Sequence, residues 1–109
     1  MTRRQHLLLK LAEECAEVTK EVTKILTFGL VEEDDEQHKS IRGRYIPPNG
    51  PRLEQEIIDV IAIVDMLHEE MDFPRLSDEE KCTKGIQAKK DKTEAYMEYA
   101  HKLGQLEVK

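Results

Sequence analysis

Five acidic side chains stand out by their spacing: Glu13, Glu14 and Glu17 near the start of the chain, and Glu56 and Asp59 in its middle. Glu14 and Glu17 are three residues apart, as are Glu56 and Asp59, and in a helix that interval stacks two carboxylates on one side, one turn apart. Two such helices packed antiparallel would gather four oxygen ligands. Hard oxygens with no His or Cys among them select Mg2+ or Mn2+. A site of that kind grips phosphate oxygens and activates water.

The second pair lies in the most hydrophobic stretch of the chain. From Ile57 to Leu67 nearly every residue is apolar, and Asp59 and Asp65 are the only charges. On a helical projection Asp65 falls with Glu54 and Glu69 on a solvent edge. Glu56 and Asp59 fall elsewhere, one turn apart with Ile63 between them, flanked by Val60 and Leu67 on one side and by Ala62 and Met66 on the other. Carboxylates set between apolar flanks are expensive unless something neutralises them, and a divalent cation is the simplest partner. The alternative is a helix less buried than its sequence suggests, with both acids in water. For the first group, Glu13, Glu14, Glu17 and Glu21 lie off the apolar stripe of their helix, with Glu14 at its edge. Taken alone they read as a solvated face of alternating Glu and Lys.

Three helices have to position these groups. The first is expected from about Thr2 to Phe28, with Leu8, Leu11, Cys15, Val18, Val22 and Ile25 as its apolar stripe and Gly29 as its stop. The second should run from about Pro51 or Arg52 to Met71, with Pro51 in its first turn. Ser77 followed by Glu80 reads as a capping box for a third, from about Asp78 to Leu103 and ending near Gly104. Its inner stripe is Cys82, Ile86, Thr93, Tyr96, Ala100 and Leu103, with Lys89 projecting into the middle and Lys92 at the margin. A lysine there either snorkels or meets a phosphate. Between the first two helices, residues 31–52 carry an acidic run and then Gly43, Pro47, Pro48, Asn49, Gly50 and Pro51, too much punctuation for a helix. Arg42, Arg44 and Tyr45 in this loop either close over an anionic substrate or belong to a connector whose arginines balance the acids.

Composition narrows the class. At 109 residues the chain is one domain at most, and a chain this small with one long apolar helix calls for a second subunit to complete its core. With 37% charged and 5% aromatic residues and no Trp, an all-α fold is expected and a β-sandwich is not. A formal net charge of −6 speaks against a general nucleic-acid binder. Cys15 and Cys82 form neither a disulfide framework nor a zinc motif, which points to a reducing, cytoplasmic setting. No signal peptide or membrane-length apolar run is visible. Asp65 with His68 and Glu98 with His101 have the Glu-x-x-His spacing of di-iron bundles, but their faces are wrong for a shared inward site. His6 and His38 have no ligand-spaced partner, and no phosphate loop, nucleophile elbow or dinucleotide fingerprint is present.

Glu13-Glu14-Cys15-Ala16-Glu17 reads as EExxE and Glu56-Ile57-Ile58-Asp59 as ExxD. In that order, with Leu11-Ala12 before the first motif and Val60-Ile61 after the second, the chain resembles the MazG-like members of the all-α nucleoside triphosphate pyrophosphohydrolase superfamily. The downstream passage from Met71-Asp72 through Asp78-Glu79-Glu80 to the Lys84–Lys92 helix extends the resemblance from about Leu7 to Tyr96. It implies an antiparallel helical bundle completed as a homodimer or homotetramer. It further implies Mg2+-dependent cleavage of a nucleoside triphosphate to the monophosphate and pyrophosphate. By position, Glu14, Glu17, Glu56 and Asp59 are then the metal ligands and Glu13 a supporting or water-orienting acid. Basic groups near the phosphates would be Lys89, with Lys84 and Lys92 as weaker matches. The chain departs from the family in its longer interval between Glu17 and Glu56, and in Ala88 and Asp91, near places where Asn or Arg is expected. The competing expectation is a non-catalytic helical module, for interaction or nucleotide sensing.

Overall fold

The computed structural model describes residues 1–32, 42, 47–71 and 78–107. They form three helices, α1 (Arg3–Phe28), α2 (Asn49–Met71) and α3 (Glu79–Lys102), and no strand is present among the described residues. The chain divides into two compact units, Met1–Asp72 and Phe73–Lys109.

Local chemistry sets the ends of α1. Thr2 is its N-cap, and Thr2 and Gln5 exchange side-chain-to-backbone hydrogen bonds in a capping box. At the other end Gly29 adopts φ 84 and ψ 163, a backbone region essentially restricted to glycine, and its N–H bonds back to Ile25. The chain then turns quickly into α2. Asn49 donates from Nδ2 to the Gly29 carbonyl at 2.9 Å and accepts from the Val31 N–H at 2.8 Å. The Gly50 N–H bonds to the Val31 carbonyl at 2.8 Å, and a Cβ at Gly50 would stand 2.9 Å from that same oxygen. These bonds start α2 at Asn49, ahead of the start expected at Pro51 or Arg52. Asn and Gly read as loop punctuation, but here they stitch the second helix to the end of the first. Within the loop expected at 31–52, Arg42 is exposed with φ 53, whereas Arg44 and Tyr45 lie outside the described residues.

α1 and α2 pack antiparallel. Arg3, at the start of α1, pairs with Glu70 near the end of α2, and Glu21 on α1 faces Arg52 at the start of α2. The face that α1 turns to α2 carries Leu7, Leu11, Glu14, Val18, Glu21 and Ile25, all buried or half-buried and alternating by four and three. α2 answers with Asn49, Leu53, Glu56, Val60, Ile63 and Leu67 in the same alternation, the seam spacing of paired helices. Leu7 and Leu67 are 4% and 2% exposed.

This corrects the expected stripe on α1. Leu11, Val18 and Ile25 lie in the seam, but Leu8, Cys15 and Val22 are exposed, and Leu7, Glu14 and Glu21 take the places just before them. Periodicity locates the apolar face of a helix without saying which part a neighbour covers. The seam has swung toward the acids and left apolar side chains on the outside.

In the second unit α3 begins one residue later than the expected Ser77 cap would place it. The N-cap is Asp78, whose carboxylate accepts from the Lys81 N–H at 3.0 Å and brings negative charge to the helix N-terminus. No residue of α3 is buried; of its expected inner stripe Cys82 and Ala100 are half-buried, and Ile86, Tyr96 and Leu103 are exposed. Cys15 and Cys82 are free thiols. No helix among the described residues is long and apolar enough to cross a membrane.

Candidate metal centre

The seam places three of the five motif acids together. Glu14 from α1 and Glu56 and Asp59 from α2 each offer one carboxylate oxygen, and these oxygens lie within 4.8 Å of one another. All three residues are half-buried. The register explains the convergence: Glu14 and Glu56 are seam positions on facing helices, and Asp59 follows Glu56 by one turn beside Val60. Gln55 donates from Nε2 to Asp59 Oδ1 at 2.9 Å, which steadies that carboxylate. Asp65, Glu54 and Glu69 are exposed, as the helical projection requires.

The electrostatics of the group centre on Glu56. Its carboxyl is held above the ordinary carboxylate range, first by removal from water and then by Asp59, Glu17, Glu14 and Glu21 in turn. Glu17 is exposed and its oxygens are outside the close group, yet it acts on Glu56 through space. Glu13 is exposed and pairs with Lys10 at 3.1 Å.

An octahedral Mg2+ holds its oxygens at about 2.0–2.1 Å, which sets them roughly 3–4 Å from one another. Three carboxylate oxygens within 4.8 Å need a contraction smaller than the swing of a side-chain torsion, so this donor set fits a hard divalent cation.

One member of this neighbourhood is absent from the sequence reading. Glu21, expected on a solvated face, is 1% exposed. Its Oε1 accepts from Lys24 Nζ at 3.3 Å and stands 3.6 Å from Arg52 Nε, while Oε2 is buried with no hydrogen-bond partner among the described residues. The signal that finds it is the seven-residue interval Leu7–Glu14–Glu21, which puts all three on one line of a paired helix.

The basic candidates belong to the second unit. Lys84, Lys89 and Lys92 are exposed on α3; Lys84 pairs with Glu80 at 2.9 Å, and Lys92 lies 5.9 Å from the Tyr96 ring centroid. Of the histidines, His6 is exposed, His68 is half-buried, and the His101 ring meets the Leu106 carbonyl at 3.0 Å. No family model, curated protein or solved structure matches this chain.

Proposed function

We propose that the chain is a Mg2+-dependent nucleoside triphosphate pyrophosphohydrolase of the MazG-like kind. The observation that carries the reading is the convergence of Glu14, Glu56 and Asp59 from two helices onto one point. These are three of the four acids that the EExxE and ExxD resemblance assigns to the metal. The raised carboxyl of Glu56 adds to it, because crowded like charges that resist ionisation are relieved by a cation.

In this reading Glu14, Glu56 and Asp59 hold Mg2+, with Glu17 one turn along α1 supplying further negative charge. Bound there, the ion would neutralise the triphosphate and acidify a water for attack at phosphorus. The chain's own share is positioning. Two rigid helices fix three carboxylates, Gln55 orients one of them, and the paired Leu7 and Leu67 keep one end of the seam dry. The resemblance alone assigns Lys84, Lys89 and Lys92 of the second unit to the phosphates.

A second copy of the chain belongs to the same proposal. Cys15, Val18, Ile57, Val60 and Ile61 line an apolar hollow of about 210 Å3 on the outside of the helix pair. Ile57 and Ile61 are exposed there, apolar surface that a lone chain leaves in water and a natural interface for a dimer or tetramer.

The test is pyrophosphate release from common and modified nucleoside triphosphates with Mg2+ or Mn2+. Metal-dependent release that Glu56→Gln or Asp59→Asn abolishes, in protein that stays helical, is the expected result. Full activity in either variant removes these residues from the mechanism, and no release from any triphosphate leaves the non-catalytic module.

A further inference from the structure

One turn beyond the acids, between the end of α1 and the start of α2, lies a cavity of about 150 Å3. Phe28, Val31 and Pro47 give it apolar walls, and Glu21, Lys24 and Arg52 are its charged members. Asn49 also lines it, but its amide is spent on the Gly29 carbonyl and the Val31 N–H. Glu21 Oε1 has its cations, whereas Oε2 is sealed from water without a donor among the described residues. A buried carboxylate oxygen left without a donor is costly, and a ligand N–H is what would satisfy it.

We propose that this cavity receives the base of a nucleotide and that Glu21 selects bases offering N–H donors, guanine above all. The proposal rests on the hydrolase reading and names the substrate class for the same site. Spacing supports it. Along α1 Glu21 is two turns from Glu14, and along α2 Arg52 is one turn from Glu56, so the cavity stands roughly 6–10 Å along the helices from the acids. A sugar spans that interval between an α-phosphate and its base.

The choice of guanine follows from the donors and acceptors. A carboxylate only accepts, and Lys and Arg only donate. Guanine presents N1–H and an exocyclic amine beside the O6 acceptor, which complements Glu21 next to Lys24 or Arg52. Uracil and thymine flank their single N–H with two carbonyl oxygens and would set these against the carboxylate. Phe28 is 73% exposed, so this wall is free to turn and admit a base toward Glu21, while Lys24 stays on Oε1. Phe28 also supplies an aromatic surface for stacking.

The experiment is calorimetric binding of GMP and of UMP without metal. GMP should bind tighter by about tenfold or more, the usual effect of a hydrogen bond to a charged group. Glu21→Gln should erase that preference by weakening GMP and not UMP. Val31→Trp, which fills the cavity and keeps the Glu21 carboxylate, should abolish binding of both while Mg2+ binding at the acids persists. Equal affinity for GMP and UMP, no saturable binding of GMP, or unchanged binding in Val31→Trp overturns the proposal. Monophosphates have no α–β bond to cleave and no metal is present, so the outcome is separate from whether the chain hydrolyses triphosphates.

Discussion

Replacing Asp59 with Asn should weaken Mg2+ binding by about a hundredfold or more. The size follows from the geometry of the acid group. Three oxygens within 4.8 Å of one another place each no more than about 2.8 Å from their common centre. At that distance a doubly charged ion and one carboxylate attract by about 3 kcal/mol even at the dielectric constant of bulk water. At about 1.4 kcal/mol per decade, that is about two decades of affinity. The substitution spares the fold: an Asn side-chain oxygen still accepts from Gln55 Nε2, and the volume is unchanged. The control is Asp65→Asn, the same loss of charge on the exposed side of α2. Calorimetric titration with Mg2+ or Mn2+ measures both. If Asp59→Asn binds metal like the unmodified chain, or Asp65→Asn loses as much, the acids do not form the site.

The remaining predictions concern stability and assembly. Glu56 has a carboxyl raised above its unfolded value, so the folded state holds its proton at pH values where the unfolded state has released it. Its favourable contribution is therefore complete below the unfolded value of 4.5 and is lost as pH rises through the higher folded value. Thermal melts of the metal-free protein should show that loss, Glu56→Gln should remove it without lowering the melting temperature, and a steeper loss in the variant counts against the crowding of acids. Asn49→Ala should cost about 1–3 kcal/mol in urea unfolding, since it leaves the Val31 N–H and the Gly29 carbonyl without their partner. Ile61→Glu puts a charge on a side chain that is 61% exposed in the single chain. Light scattering should show it shifting an oligomer toward monomer with its helix content intact, whereas an unchanged mass would move the interface elsewhere.

The helices were legible because their signals are local. Gly29 and the apolar periods of α1 and α2 are read from neighbours in sequence, and apart from the start of α2 the structure places each helix end within a residue of the expected position. The start of α2 was hidden because Asn49 and Gly50 act through Gly29 and Val31, about twenty residues earlier, and composition alone assigns them to a turn. Spacing and antiparallel packing led to a convergence of Glu14, Glu17, Glu56 and Asp59; the structure gathers Glu14, Glu56 and Asp59 and leaves Glu17 exposed outside the close group. Glu21 was not, because a search for a buried face by hydrophobicity discards an acid before asking what faces it. Arg52 and Lys24 let it be buried, and neither is visible as its partner until α2 lies against α1.

The helix pair departs from the usual distribution at three seam positions and on its outer face. Glu14, Glu21 and Glu56 occupy the seam, where paired helices normally carry Leu and Val, while Leu8, Val22, Ile57, Ile58 and Ile61 remain outside. Charge between helices is unfavourable unless it is neutralised, and apolar surface facing water is unfavourable unless it is covered. On the proposed reading the two defects have different remedies, a cation for the seam and a second copy for the outer face, and each would favour the other. A second copy that covers Ile57 and Ile61 also lowers the dielectric constant beside Glu56 and Asp59, which strengthens their hold on a cation. Metal bound in the seam removes the repulsion between α1 and α2 and so stiffens the surface on which the second copy packs. Mg2+ should therefore tighten self-association, and Ile61→Glu should weaken metal binding from a distance, although Ile61 contributes no oxygen. Concentration-dependent light scattering with and without Mg2+, set beside the calorimetric affinity of Ile61→Glu, measures this coupling in both directions. Linkage requires the effect of Mg2+ on association to equal the effect of association on Mg2+ affinity. An association indifferent to Mg2+ would mean that the outer face and the acid seam serve unrelated ends.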